Sequence, residues 1–325
     1  MVDGQVPAAT GYDEGRHMRL EPASPATVQE AADAIRRGDL VVIPTETVYG
    51  LACNALDSLA VRKVFEAKGR PSDNPLIVHV ADFSQVADVA EDLPELAKKL
   101  AERFWPGPLT LVLKRKPVVP DVTTAGLDTV AVRVPNHPVA LDVIRRAGLP
   151  IAAPSANVFA GLSPTSAEDV DPRIAERAVM VLDGGRCEVG LESTVVDLSG
   201  EHPRILRPGG VTRAQVQSVV GGPLGHMPPP EVRRGPGMYP RHYAPNAKVV
   251  LVEKMNGAQP GLTFHEPQTG DQIKMPEDPV AYGATLYRAL RRLDLQGHQA
   301  IYVELPPNEP DWEAVYDRLK KASSD

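Results

Sequence analysis

The sequence predicts a fold of the α+β or α/β class, with one large mixed twisted β-sheet flanked by helices and then a small α/β domain. The 325 residues are enough for two domains. Short apolar segments and amphipathic ones mix without strict βαβ alternation, which favours a mixed sheet. A segment rich in Pro and Gly separates residues 24–220 from residues 247–325, and it is expected to be a linker.

Composition narrows the class of protein further. Apolar residues make up 42% and charged residues 24%, the balance of a folded chain and not of a disordered one. The 33 prolines argue against long helical bundles. A net charge of −7 weighs against a protein that mainly coats nucleic acid.

The cysteines and the N-terminus predict the compartment. Cys53 and Cys187 form no CxxC pair, which excludes a zinc ribbon and a thioredoxin-type site and suits a reducing cytoplasm. The first 20 residues carry charges and no apolar run, so no signal peptide is expected. No stretch of the sequence approaches the ~18 apolar residues of a membrane span. We therefore expect a cytoplasmic protein with no membrane partner.

Residues 1–23 are expected to be a loose N-terminal arm, after which the large domain begins with a helix. Thr27 and Glu30 have capping-box spacing, and Arg36 to Gly38 supply a helix stop. Gly69 is the expected C-cap of a second helix. In order, the next predicted elements are a strand at 40–43, a helix at 58–68, a strand at 75–80 and a helix at 94–104.

The rest of the large domain is predicted to be dense in strands. Helices are expected between some of them, at 138–146, 167–178 and 212–219. The predicted strands are 109–113, 129–134, 151–153, 179–182, 193–198 and 204–206.

Residues 221–246 form the predicted linker, and residues 247–325 form the small domain. Tyr239, His242 and Tyr243 lie in the linker, and a pure spacer needs no such side chains. We therefore expect the linker to pack against another part of the chain. The small domain is predicted to have strands at 248–252 and 300–304, helices at 280–293 and 312–321, and an irregular polar stretch at 255–278.

The segment Lys68-Gly-Arg-Pro-Ser-Asp-Asn-Pro75 carries the most chemical information. Two cations two residues apart, in a loop stiffened by Pro71 and Pro75, are expected to project toward one anion. A solvated basic turn is the alternative interpretation of these residues alone.

Polar side chains follow two predicted strands. The segment Pro44-Thr-Glu-Thr-Val-Tyr-Gly50 follows one strand, and Pro154-Ser-Ala-Asn157 follows another. Strand ends in α/β folds commonly face a ligand crevice; the alternative is that these hydroxyls bond the local backbone. The absence of GxxxxGK[ST] and GxGxxG excludes a Walker loop and a dinucleotide fingerprint.

Ordered motifs resemble the threonylcarbamoyl-AMP synthase family with the YrdC-type domain. These motifs are PTETVYGL, KGRPSDNPL with His79, WPGPLTLVL, TVAVRVP, APSAN, GLSPT, ESTVVDL and ILRPG, within residues 25–215. The linker PGMYPRHYAP and the tail resemble the longer branch of that family. With this resemblance we expect the linker to cover the active site as a lid, with Tyr239, Arg241 or His242 touching the nucleotide or its products. The resemblance implies a YrdC-like sheet domain followed by a small Rossmann-like α/β domain.

The resemblance implies a reaction. L-threonine and bicarbonate (or CO2) form N-carboxythreonine, which attacks the α-phosphate of ATP and gives threonylcarbamoyl-AMP and pyrophosphate. Mg²⁺ is expected to accompany ATP, with no metal held tightly by the protein. The product is expected to serve a downstream tRNA threonylcarbamoyl transferase complex, with at most a weak RNA contact by this chain.

The resemblance also implies residue roles. Lys68 and Arg70 match the family's K-x-R motif and are the expected catalytic residues. The expected ATP-binding residues are Lys68, Arg70, Asn74, Thr129, Ser155, Asn157, Ser163, Arg207, Tyr239 and His242. The expected threonine-binding residues are Thr47, His79, Arg133, Ala153 and Ser193.

Three alternatives stay open at this point. The chain could be an RNA-binding or ribosome-assembly module of the same fold, although few aromatic residues interleave its basic ones. It could also be a carbamoyl-handling domain of a hydrogenase-maturation protein, although it lacks the zinc-binding and acylphosphatase parts. His79 lies in an apolar strand, where a lone histidine is usually a core residue.

Overall fold

The protein is described by a computed structural model over residues 19–225 and 239–324. It contains an 11-stranded sheet and a four-stranded sheet, whose residues we call the large domain (19–225) and the small domain (247–324). Within these ranges no helix is both long and apolar enough to cross a membrane.

The large domain holds strands β1 to β11. The sheet order is β1-β9-β2-β3-β8-β4-β7-β6-β10-β11, with β5 added beside β6. The strands are β1 (Leu20–Pro22), β2 (Val41–Ile43), β3 (Gly50–Asn54), β4 (Ile77–His79), β5 (Ala90–Glu91), β6 (Leu109–Arg115), β7 (Thr129–Arg133), β8 (Ile151–Ala152), β9 (Val181–Asp183), β10 (Thr194–Asp197) and β11 (Arg204–Arg207).

Parallel and antiparallel pairs both occur in this sheet, so the predicted mixed sheet is confirmed. Strands β4 and β7 are parallel, β6 and β7 are antiparallel, and β6 and β10 are parallel again. The helices are α1 (Pro25–Arg36), α2 (Ser58–Lys68), α3 (Val86–Val89), α4 (Glu95–Phe104), α5 (Asp121–Thr124), α6 (Pro138–Ala147), α7 (Pro172–Ala175) and α8 (Arg213–Val220).

Helices cover both faces of the β2 region. Val42 packs in a core with apolar residues of α2, α4 and α8, whereas Val41 and Ile43 pack in another core with α1 and α6. Successive strand residues point to opposite faces, so both sides of β2 must be apolar. This is why the sequence of this three-residue strand is a continuous apolar run.

Helix α2 forms where the sequence predicts it. The Asp57 carboxylate accepts hydrogen bonds from Leu59 N and Ala60 N at 2.8 and 3.3 Å, which caps the N-terminus. Gly69 closes the helix with φ of +59°, a conformation that only glycine adopts without strain. The left-handed cap turns the chain directly into the loop that carries Arg70.

The structure differs from the sequence prediction at two helices. Helix α1 begins at Pro25, because its capping box is formed by Ser24 at the N-cap and Thr27 at the third helical position. The predicted capping pair was Thr27 and Glu30. The helix predicted at 167–178 is wrong: a 3-10 turn at Ala167–Asp169 and the four-residue α7 take its place. Asp171 caps Arg173 N, and Pro172 lacks the N–H needed to continue a helix from the preceding turn.

Two strands, β3 and β5, lie where no strand was predicted, and a third, β1, lies in the predicted loose arm. Gly50–Asn54 pairs with β2 in antiparallel register, so the chain returns into the sheet directly after the Thr-Glu-Thr segment. Leu20–Pro22 pairs with β9, while residues 1–18 lie outside the described part of the chain. Residues 226–238 of the predicted linker lie outside it as well.

The small domain is a parallel sheet with helices. Its sheet order is β12-β15-β13-β14, and every pair is parallel. Two short strands, β13 and β14, form inside the stretch predicted to be irregular. The elements are β12 (Lys248–Val252), β13 (Gly261–Thr263), β14 (Gln272–Lys274), α9 (Pro279–Asp294), β15 (Ala300–Glu304) and α10 (Glu313–Ser323).

The two domains share one apolar core. Val48, Leu162 and Leu191 of the large domain pack in a single cluster with small-domain residues such as Tyr287 and Leu319. Association of the domains therefore buries apolar surface that either one alone would expose.

Candidate active site

A cavity opens on the large sheet beside the domain interface, and predicted site residues line much of it. Nine of the fifteen predicted residues are in its wall: Thr47, Arg70, His79, Arg133, Ala153, Ser155, Ser193, Arg207 and His242. The remaining wall residues are Val48, Pro75, Leu76, Ile77, Pro154, Glu192 and Tyr243.

Strand register gathers these side chains on one face. His79 is the direct neighbour of Arg133 in the parallel pair β4–β7, and both lie two residues beyond apolar positions of the same face. On the adjacent strands, Thr110 Oγ1 lies 2.8 Å from Ser193 Oγ. Residues far apart in sequence therefore meet because β4 and β7 end where β6 and β10 begin.

Arg70 presents a fixed guanidinium to the cavity. Its Nε donates to Asn74 O at 3.1 Å and its Nη2 to Pro75 O at 3.0 Å, so the loop that carries it also orients it. Burial lowers the pKa of Arg70 to about 10, with Arg207 adding to the decrease and Tyr239 and Tyr243 opposing it. The group therefore stays charged at neutral pH.

Lys68 does not line the cavity, in contrast to the prediction that both cations project toward one anion. Its ammonium group is buried behind the loop at 154–157 and donates to the carbonyls of Ser155 and Asn157. Burial lowers the pKa of Lys68 well below its usual value, and the nearby Arg70 lowers it further. In this structure Lys68 shapes the wall of the cavity from behind.

Four more predicted residues lie around the cavity and not in its wall. Asn157 fixes its own loop, since its Nδ2 donates to Val158 O at 2.7 Å and Gly161 O at 2.8 Å. Asn74 is buried beside Arg70. Thr129 lies four residues before Arg133, on the same face of β7 but at its other end. Ser163 is fully buried and faces Glu192.

Arg207 and Ser193 form one hydrogen-bonded unit. Arg207 donates to Ser193 O from Nε at 3.1 Å and from Nη2 at 2.9 Å, and Nη2 also lies 3.1 Å from Ser193 Oγ. The guanidinium comes from β11 and the serine from the residue before β10, which are antiparallel neighbours.

Glu192 is the residue that sequence reasoning missed. Its Oε1 accepts from Ser163 Oγ at 2.6 Å, and its Oε2 accepts from Tyr287 OH at 2.9 Å and Arg318 Nε at 2.8 Å. Burial alone would raise the pKa of Glu192, but Arg318, Arg207 and these hydrogen bonds outweigh burial and lower it to about 2. The carboxylate is therefore ionised.

Arg133 is also paired with Glu46, a carboxylate of the strand-end segment that was not among the predicted site residues. Its Nη2 lies 2.7 Å from Glu46 Oε2, and both side chains are almost fully buried. Its Nη1 donates to Thr47 Oγ1 at 3.0 Å and its Nε to Gly107 O at 3.2 Å. Arg133 thus fixes Thr47 in the cavity wall.

His79 and His242 are neutral members of the wall. Burial lowers the pKa of His79 to about 3, and the charge of Arg133 contributes. Burial lowers the pKa of His242 to about 3 as well, where Arg70 and Lys68 contribute and Glu192 opposes. Both imidazoles are therefore uncharged at neutral pH and do not change the net charge of the cavity wall.

The described part of the linker, residues 239–246, lies against the large domain. Tyr239 OH bonds the Asp73 carboxylate, and its ring meets Phe159 edge to face at 5.0 Å between centroids. His242 also meets Phe159, at 5.7 Å, and Ala244 N donates to Ala160 O at 2.9 Å. Tyr243, which was not among the predicted site residues, lines the cavity with φ of +59°.

Two family models match consecutive parts of the chain. The Sua5/YciO/YrdC model, described as "Telomere recombination", matches residues 33–209. A model described as "Threonylcarbamoyl-AMP synthase, C-terminal domain" matches residues 211–324. The chain belongs to the Sua5/YciO/YrdC family.

Relatives in the Sua5/YciO/YrdC family match both domains. Threonylcarbamoyl-AMP synthase of Pyrococcus abyssi is 44% identical over 318 residues, which cover 91% of this chain and 94% of the relative. The protein of that name from Bacillus subtilis is 42% identical over 323 residues, 91% of this chain and 92% of the relative. The resemblance inferred from the motifs is confirmed.

A solved Sua5 structure has the same fold. The crystal structure of Pyrococcus abyssi Sua5 complexed with L-threonine matches with a TM-score of 0.86 and 41% identity, covering 94% of this chain and 96% of that one. The predicted fold class is confirmed for a large mixed sheet followed by an α/β domain.

Proposed function

We propose that this protein is a threonylcarbamoyl-AMP synthase, a nucleotidyltransferase that joins L-threonine, bicarbonate and ATP. One observation carries the proposal beyond the family. Three guanidinium groups, those of Arg70, Arg133 and Arg207, meet in one cavity, whose two histidines are neutral. Among the described residues Glu192 is the only acidic one in the cavity wall, and Arg318 neutralises it. Such a cavity suits a substrate with several negative charges.

We assign the nucleotide to the end that holds Arg70, Ser155 and Arg207. A planar guanidinium bonds phosphate oxygens in pairs, and two such groups can share one triphosphate. Ser163 is fully buried behind the wall and donates its hydroxyl proton to Glu192, so we propose that it supports the nucleotide site through that carboxylate. Asn74 and Thr129 remain proposed ATP-binding residues, and Asn157 remains a proposed support for them.

We assign threonine to the other end, beside Thr47, His79, Arg133, Ala153 and Ser193. The Thr47 hydroxyl is held by Arg133, so it is oriented before the substrate arrives. Neutral His79 can bond a hydroxyl or a carboxylate without changing the charge of the cavity. The Arg133 charge is partly balanced by Glu46, which leaves it oriented for the carboxylate of the amino acid.

In the proposed reaction, an oxygen of the carbamate group on the nitrogen of N-carboxythreonine attacks the α-phosphorus of ATP. A new P–O bond forms, the bond from that phosphorus to the bridging oxygen of the β-phosphate breaks, and pyrophosphate leaves. Negative charge accumulates on the phosphate oxygens and on the leaving group. Arg70 and Arg207 are placed to stabilise that charge, and Lys68 holds the Ser155 loop in position for it.

The linker is proposed to close the nucleotide end. His242 and Tyr243 line the cavity, and Tyr239 bonds Asp73, which lies in the same loop as Arg70. Closure by these side chains would keep water from an acyl phosphate. Arg241 Nη1 donates to Ser324 O at 2.7 Å, so this part of the linker is fastened to the small domain.

A divalent metal ion is expected to accompany ATP in the proposed reaction. Within residues 19–225 and 239–324 no cluster of three or more His, Cys, Asp or Glu side chains can hold a metal ion. We propose that Mg²⁺ enters with the ATP phosphates, as is usual for nucleotide substrates. The downstream transferase complex, a weak RNA contact and a cytoplasmic location remain predictions from the sequence.

A pyrophosphate-release assay tests the proposed function. With the full chain, release should require ATP, L-threonine and bicarbonate together. Omission of any one should reduce release to background. ATP breakdown that is indifferent to threonine would contradict the proposal, and strongly salt-dependent RNA binding in its place would favour the RNA-binding alternative.

A further inference from the structure

A buried, ionised carboxylate weakens the binding of an anion in the same cavity unless its charge is compensated. Glu192 lies in the cavity wall, next in the chain to Ser193, and its pKa keeps it ionised. An uncompensated negative charge there would repel a triphosphate, and it would draw the nearby Arg207 toward itself and away from the phosphate. The groups that neutralise Glu192 therefore affect substrate binding without touching the substrate.

Among the described residues, three side chains bond Glu192, and two of them come from the small domain. Tyr287 on α9 and Arg318 on α10 both bond Oε2, while Ser163 of the large domain bonds Oε1. Tyr287 lies 95 residues and Arg318 126 residues after Glu192 in the chain. This arrangement therefore depends on docking of the small domain.

The Arg318 side chain is buried and hydrogen-bonded at the domain interface. It is 1% exposed. Its Nη1 donates to Pro208 O at 3.0 Å and bonds Asp317 Oδ2 at 2.6 Å. Its guanidinium carbon lies 4.8 Å from the ring centre of Tyr243, a cavity residue. Arg318 therefore contacts both the carboxylate and an aromatic side chain of the cavity wall.

We infer that Arg318 and Tyr287 are positioning residues that hold Glu192 as a compensated carboxylate, so that the small domain completes the anion-binding cavity of the large one. This inference rests on the proposed function. It assigns the small domain a part in substrate binding, through the charge balance of one buried side chain.

The charged and titratable groups around Glu192 predict how a disturbed site responds to pH. Without Arg318 the pKa of Glu192 rises, because burial is then less opposed. Protonation at low pH would remove the unwanted charge and restore ATP binding. The charged and titratable groups that interact with Glu192 are Lys68, Arg207, His242, Tyr243, Tyr287 and Arg318. Asp317 and Lys321 interact in turn with Arg318.

The test is a double-mutant cycle with Arg318→Met and Glu192→Gln in the full chain. Arg318→Met should raise KM for ATP about tenfold or more at pH 8, as expected when a buried charge pair loses one partner. The increase should shrink at pH 6. In the Glu192→Gln background, Arg318→Met should add little, because no charge is left to compensate. Equal effects of Arg318→Met in both backgrounds would overturn the inference.

Two further variants keep the test decisive. Arg213→Met is the matched control, since Arg213 joins the same two domains through an exposed ion pair with Glu313 at 2.9 Å; its KM for ATP should be unchanged. Tyr287→Phe keeps the ring and removes one hydrogen bond to Glu192, so KM for ATP should rise several-fold. Because Arg318 still holds the pKa of Glu192 low, this rise should be similar at pH 8 and pH 6. If KM for ATP is unchanged in Tyr287→Phe, the inference is overturned even if Arg318→Met fails to fold.

The outcomes separate this inference from the proposed function. A wild-type chain that releases no pyrophosphate in response to threonine contradicts the proposed function. An active wild-type chain whose Arg318→Met defect persists in the Glu192→Gln background contradicts only the role of Arg318.

Discussion

Oε2 of Glu192 lies 2.8 Å from Nε of Arg318, and these two side chains belong to different domains. The pair is a buried electrostatic link between the two domains, and it adjoins the cavity that carries the proposed chemistry. Apolar packing holds the domains together, while this pair sets the charge that a substrate meets.

Arg70→Lys should reduce pyrophosphate release by about 10²- to 10³-fold, the loss typical of removing one fixed donor to a developing charge. Lysine lacks the planar guanidinium fork by which Arg70 bonds two loop carbonyls and faces the cavity in a fixed orientation. Steady-state kinetics measure the loss, and circular dichroism should show an intact fold. Arg62→Lys on the exposed side of α2 is the control, and near-normal turnover of Arg70→Lys would contradict the assigned role.

Lys68→Met should lower both stability and affinity for ATP. The buried carbonyls of Ser155 and Asn157 lose their donor, which costs about 1–3 kcal/mol in the free energy of unfolding. The Ser155 loop would also lose its position, so KM for ATP should rise. Urea unfolding and kinetics check the two effects together.

The control for Lys68→Met is Lys63→Met, since Lys63 on the same helix donates to Gly38 O at 2.8 Å away from the cavity. Lys63→Met should leave KM unchanged. If Lys68→Met lowers turnover with no loss of stability and no change in KM, the ammonium group acts directly on the reacting phosphate, and the positioning role assigned to Lys68 is wrong.

Glu46→Gln should destabilise the protein by about 3–5 kcal/mol, because it leaves the buried Arg133 charge without its partner. KM for threonine should rise as well, since Arg133 also orients Thr47. Denaturant unfolding of Glu46→Gln, Arg133→Gln and the double variant measures the coupling. Strictly additive losses would show that the two side chains do not stabilise one another.

Stability should fall as the pH drops from about 6.5 toward 3, in part because of the buried histidines. Folding lowers the pKa of His79 from 6.5 to about 3, so in this window the unfolded chain binds a proton that the folded chain does not. His79→Gln should therefore reduce the slope of unfolding free energy against pH by up to about 1.4 kcal/mol per unit. The exposed His202→Gln is the control, and an unaltered slope in His79→Gln would contradict a neutral His79.

Local signals were sufficient to predict the parts of this fold with local causes. Asp57 and Gly69 bound α2 through contacts within a few residues, and the motif around Arg70 lies directly after that cap. Strand ends such as Thr47 and Ser155 could be identified because polar residues follow apolar runs. The resemblance to a known family then grouped them into one site.

The missed features depend on partners remote in sequence. Glu192 bonds Ser163, Tyr287 and Arg318, and no local pattern links those positions. Glu46 was part of a motif, but its ion pair with Arg133 follows from strand packing. Strands Gly261–Thr263 and Gln272–Lys274 are three residues each and exist through pairing with neighbours, so their short segments carry no periodic signal.

The most direct test of the central claim is to identify the product by mass spectrometry after incubation with ¹³C-bicarbonate, L-threonine and ATP. We expect a threonylcarbamoyl-adenylate that carries the label in its carbamate carbon, formed in step with pyrophosphate. An adenylate without the label, or ADP as the nucleotide product, would contradict the claim that this cavity joins carboxylated threonine to the α-phosphate.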